Sequence, residues 1–66
     1  MIDLSFTKTL NVLFVEDEEK AREIGQKLFK KFFKKVDVAK DGEEGLEKFK
    51  SGNYDLVITD ITMPKL

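Results

Sequence analysis

The chain has 66 residues, room for one small domain whose single core is marginal at this size. It contains no cysteine and no histidine, which excludes disulfides, zinc-thiolate sites, histidine metal ligands and Ser-His triads. With 41% hydrophobic and 38% charged residues it has the make-up of a folded soluble domain, and its net charge of −1 leaves no footprint for nucleic acid or anionic membrane.

Residues 1–10 alternate weakly and carry Ser and Thr. They have no basic stretch ahead of an apolar block, so they read as a leader or short extension rather than a signal peptide. Residues 11–15, "NVLFV", form a continuous β-branched and aromatic run. Apolarity without alternation predicts a strand buried on both faces, as in a parallel sheet. No longer apolar run occurs, so nothing approaches a membrane span, and a cytoplasmic setting is the default.

"EDEE" then opens a helix, where acids suit the positive end of the helix dipole. From Glu18 to about Phe33 the apolar positions Ala21, Ile24, Leu28 and Phe32 recur at helical spacing and predict the buried stripe, widened by Phe29 and Phe33. Lys30, Lys31, Lys34 and Lys35 crowd its last turn. "KVDVAK", residues 35–40, predicts a second short strand. Asp41, with Glu44 three residues on, resembles a capping box at the start of a second helix. Leu46 and Phe49 mark that helix's expected buried face, Gly45 its close approach to the sheet, and "SGN" its end. "YDLVIT" is a third buried strand, running into Asp60.

The order is β-α-β-α-β with short connections, which implies parallel strands joined by crossover helices. In open parallel sheets ligands bind beyond the carboxyl ends of the strands. Glu16 and Asp17 follow the first strand and Asp60 the third. Taken singly, the acidic pair reads as a helix N-terminus, Asp60 as a turn residue and Met63-Pro64 as a plain turn. On neighbouring strands the three carboxylates would meet and repel unless compensated. A hard divalent cation such as Mg²⁺ is the compensation their oxygens favour.

"VLFVEDEE", "AKDGEEGLEKF" and "YDLVITDITMP" together resemble the receiver domain of bacterial response regulators, from about residue 11 to the last residue. The resemblance implies a flavodoxin-like α/β half-domain: a three-stranded parallel sheet in the order 2-1-3 with helices on both faces. It implies Asp60 as the phosphoacceptor, Glu16 and Asp17 as Mg²⁺ ligands, and Thr62 as a further ligand through its backbone carbonyl. A histidine kinase would be the partner, in a phosphorelay component that is not itself an enzyme.

The family's fourth strand brings a Thr or Ser and its fifth a Lys toward the phosphoryl group, and neither strand is among these residues. Residues 11–66 are therefore expected to be a truncated receiver, with its third strand a bare edge that a second copy could pair in a homodimer. The alternative function is a truncated or engineered half-domain that self-associates without phosphotransfer. A flavin- or nucleotide-binding flavodoxin-like protein is disfavoured, because the first strand-helix turn is acidic and not glycine-rich.

Overall fold

The computed structural model of the chain describes residues 5–59, with side chains from Thr7 onward. A 3-10 turn, Ser5–Thr9, leads into β1 (Asn11–Val15), α1 (Glu19–Phe29), β2 (Lys35–Ala39), α2 (Gly42–Ser51) and β3 (Leu56–Thr59). The three strands form one parallel sheet in the order β2-β1-β3, as expected.

β1 is the centre of the structure in both directions. Its Val12, Leu13, Phe14 and Val15 are all buried, because β2 and β3 flank its edges and a helix lies over each face. The strand period of two divides the core accordingly. Leu13, Val15 and Ala39 form one cluster beneath α2, with Tyr54 against it. Val12, Phe14 and Val36 form the other beneath α1, joined by Phe29, Phe33, Val38 and Ile58.

Each helix reaches the sheet through a glycine. A Cβ on Gly25 of α1 would stand 2.5 Å from the Phe14 ring, and one on Gly45 of α2 would stand 2.9 Å from Cγ2 of Val15. Close approach at Gly45 matches the sequence reading; Gly25 carried no sequence signal of its own. Gly52, which ends α2, has φ −104, so it serves no left-handed cap. A Cβ there would strike the Tyr54 ring at 2.4 Å, and that contact is what its small size accommodates.

The helix starts follow the sequence closely. Glu18 caps α1 by accepting from the Ala21 N–H at 2.6 Å. Asp41 caps α2 by accepting from the Glu44 N–H at 2.8 Å, while the Glu44 carboxylate reaches back to the Lys40 N–H at 2.6 Å. That is the reciprocal pairing of a capping box, displaced by one residue on the return bond.

Three expectations need correction. α1 stops at Phe29 instead of running to Phe33: Lys31 and Phe32 donate to the carbonyls three residues back, and the chain turns toward β2. Phe33 then packs on Phe29 with ring centroids 6.1 Å apart. The predicted apolar faces are also not the buried ones, since Ile24 is 68%, Leu28 48%, Phe32 44%, Leu46 56% and Phe49 50% exposed. Both helices sit over β1 and β2, and among the described residues neither packs over β3. These side chains therefore stay uncovered, and the third strand, expected to be buried, leaves Leu56 and Val57 exposed as well.

The start of β3 is fastened to its neighbours. Asn11 N–H donates to the Asp55 carboxylate at 2.9 Å, Asp55 N–H donates to the Asn11 carbonyl at 2.8 Å, and the Asn11 side-chain amide donates to the Asn53 carbonyl at 3.2 Å. Across the sheet, the Tyr54 hydroxyl donates to Asp37 of β2 at 2.5 Å. This hydrogen bond, with partial desolvation and the nearby negative charge, pushes the Tyr54 phenol up to about 12 from the ordinary 10.0.

Gly25→Ala should lower the unfolding free energy by about 1–3 kcal/mol through overpacking against Phe14, despite alanine's helix preference of about 1 kcal/mol. Urea denaturation reads this, and a stability equal to or above the parent would show that Phe14 can move aside. The phenol's raised value means that its contribution is present below pH 10 and lost as pH rises toward 12. Tyr54→Phe should cost about 1–2 kcal/mol at neutral pH and flatten that alkaline loss. An alkaline stability profile identical to the parent's would contradict the Tyr54–Asp37 bond.

Candidate functional site

The carboxyl ends of the strands gather the chain's candidate chemistry. Parallel register decides what stands beside what: Val15 is paired with Ala39 of β2 on one side and with Thr59 of β3 on the other. Glu16 follows Val15 directly, and Asp60 follows Thr59 directly. Asp60 and Thr62 lie outside the described residues.

Glu16 leaves β1 with its N–H still in the ladder, donating to the Ala39 carbonyl at 3.0 Å. One oxygen of its half-buried carboxylate, Oε2, accepts from the Glu18 N–H at 3.0 Å, which folds the side chain over its own loop. Asp17 is exposed, and among the described residues its side chain makes no hydrogen bond or ion pair. Glu18 is committed to capping α1, so it belongs to the helix and not to the site.

The loop is held from above by Arg22, whose Nη1 donates to the Glu16 carbonyl at 2.9 Å. Sequence reasoning missed this contact. The available signal was Arg22's place in the first turn of α1, because helical side chains tilt toward the helix N-terminus and so overhang the preceding loop. The arginine fixes the backbone of the acidic loop while adding positive charge beside it.

The donor chemistry fits a hard divalent cation. Glu16 and Asp17 offer carboxylate oxygens, and no softer Cys or His ligand exists anywhere in the sequence. Among the described residues no group of three acids is arranged to hold a metal ion. The expected third carboxylate, Asp60, and the carbonyl donor, Thr62, are outside that set.

Between α2 and the sheet is a mainly apolar concavity of about 270 Å³, lined by residues that include Leu13, Val15, Gly45, Leu46, Phe49 and Thr59. The Thr59 hydroxyl is buried there and has no hydrogen-bond partner among the described residues. No helix among the described residues is long and apolar enough to cross a membrane.

Comparison with known proteins agrees with this fold. The family model of the response regulator receiver domain matches residues 12–66. The chain is 46% identical over 57 residues to the aerobic respiration control sensor protein ArcB of Escherichia coli, a match that covers 86% of this chain and 7% of that protein. Among solved structures, it resembles the N-terminal domain of an uncharacterized protein from Wolinella succinogenes, with 45% identity and a TM-score of 0.77. It resembles the chemotaxis response regulator CheY4 of Vibrio cholerae at 29% identity with the same TM-score of 0.77. Both superpositions cover 88% of this chain, and the chain spans 47% and 48% of those two solved chains.

Proposed function

The chain belongs to the response regulator receiver domain family, and from that premise we propose that Asp60 is the phosphoryl acceptor of a two-component phosphorelay. The observation that carries this reading is the register. Val15 and Thr59 are partners in adjacent parallel strands, and an acid follows each of them immediately in sequence.

In the proposed reaction a carboxylate oxygen of Asp60 bonds to phosphorus in line with the bond to the donor, which breaks and leaves an acyl phosphate on the chain. Glu16, Asp17, Asp60 and the Thr62 carbonyl are the oxygen donors that would hold Mg²⁺. When bound, that ion neutralises charge on the phosphoryl oxygens. Arg22 keeps the Glu16 backbone in place, and the Glu18 N–H orients the Glu16 carboxylate. The chain accepts one group and turns over no substrate, so it acts as a signalling component and not as an enzyme. A histidine kinase is the proposed donor, in a cytoplasmic setting, supported by family membership and by the likeness to a sensor protein.

Incubation with a small-molecule phosphodonor and Mg²⁺ should add the mass of one phosphoryl group to the intact chain. The gain should vanish in Asp60→Ala and fall sharply when Mg²⁺ is chelated. A gain that persists in Asp60→Ala, or none in the parent, would overturn the assignment.

A homodimer joined through β3 belongs to the same proposal. Its support is specific: Leu56 and Val57 are exposed on opposite faces of a strand that no helix covers among the described residues. An unprotected apolar strand edge favours pairing with another chain, and a two-fold antiparallel pair closes without propagating. Light scattering across a dilution series of the 66-residue chain should give a dimer mass that Val57→Lys reduces. A monomer at every concentration would refute the pairing.

A further inference from the structure

The opposite end of the sheet carries a second feature that the phosphoacceptor reading does not use. Where the chain turns from α1 into β2 it reads "KLFKKFFKK", residues 27–35. Lys27, Lys30, Lys31, Lys34 and Lys35 are all exposed there, and Lys8 is exposed on the adjoining 3-10 turn. Two bonds draw these segments together: Thr7 Oγ1 donates to the Phe32 carbonyl at 2.6 Å, and the Lys34 N–H donates to the Leu10 carbonyl at 3.0 Å.

On the same turn, among the described residues, is an apolar concavity of about 340 Å³, lined by Thr7, Phe29, Phe32 and Phe33. Phe29 is held edge-on to Phe14 at 5.1 Å and to Phe33 at 6.1 Å, so these two walls are anchored in the core. Phe32 remains 44% exposed at the rim. Lys35 pairs with Asp37 at 3.6 Å, while Lys30, Lys31 and Lys34 enter no ion pair among the described residues. Lysines at a helix C-terminus are ordinary by themselves, since they complement the helix dipole. An aromatic recess on the same segment, among the described residues, is a separate feature, and helix stability does not call for it.

We propose that this basic, aromatic pole is a docking site for an acidic peptide segment that inserts one apolar side chain into the Phe29–Phe32–Phe33 recess, with flanking carboxylates against Lys30, Lys31 and Lys34. Charge complementarity selects an anionic partner. Shape then selects among anionic partners: a recess with the anchored rings of Phe29 and Phe33 as walls takes a protruding side chain, whereas a membrane surface is met by apolar groups that stand proud of the protein. The arrangement is an apolar anchor point surrounded by a charged rim, the pattern in which a buried contact supplies affinity and the rim supplies steering.

The test uses the 66-residue chain and a fluorescently labelled synthetic peptide with one leucine between pairs of glutamates, followed by anisotropy. The peptide should bind and weaken as salt is raised. Affinity should fall about tenfold in Phe32→Ala, the effect of removing one anchor contact. It should fall again in Lys30→Glu/Lys31→Glu, with the circular dichroism of both variants matching the parent. A peptide with alanine in place of the leucine should bind at least as weakly as the Phe32→Ala complex. Equal binding of the leucine and alanine peptides would overturn the recess as an anchor site. Absence of peptide binding, with retention instead on phosphatidylglycerol vesicles or on a single-stranded oligonucleotide, would overturn the choice of partner.

Discussion

Burial of β1 on both faces and both edges is the constraint on which everything else depends. Four consecutive apolar side chains, Val12 to Val15, can all leave water only if a strand lies on each side and a layer lies above and below. Parallel neighbours then require crossover connections, and the short loops of this chain leave helices as the only connectors long enough. Gly25 and Gly45 set how closely those helices approach, because a methyl group at either position would meet Phe14 or Val15 inside contact distance.

The same packing explains where apolar surface is left over. A helix seated on a glycine over β1 and β2 leaves its lateral residues turned outward. Ile24 and Leu28 on α1, Leu46 and Phe49 on α2, and Leu56 and Val57 on β3 are all left exposed. Amphipathic spacing marked these helix residues as a buried face, but the described residues supply no surface to bury them. Periodicity reports that a stripe seeks a partner and is silent on whether the partner is the sheet.

Much of the fold was therefore readable from the residues alone. Continuous apolarity gave the strands, acids and Asp41-Glu44 gave the helix starts, and the β-α-β-α-β order gave a parallel sheet. The end of α1 was less legible, since "KKFFKK" continues both the helical spacing and the helix-favouring charge pattern. What stops it is tertiary: Thr7 and Leu10 capture the turn, and Phe33 folds back on Phe29. At the site, the placement of Glu16 and Asp17 after β1 was legible because strand ends are legible. The grip of Arg22 on the Glu16 carbonyl was not, because it depends on helix orientation over the loop and not on residue type.

A parallel sheet also sorts charge in a way that net composition conceals. All three strands point the same way, so the loops before the helices collect at one end and the loops after them at the other. Helix dipoles favour acids at the first end and lysines at the second. Glu16 to Glu19, with Asp41, Glu43 and Glu44, fall at one pole, and Lys27 to Lys35 at the other. A five-residue strand separates them by roughly 16 Å, beyond the screening length of about 8 Å at physiological salt. At that separation each pole presents its own sign to solution. The overall charge of −1 therefore conceals an acidic cluster at one end of the sheet and a basic one at the other.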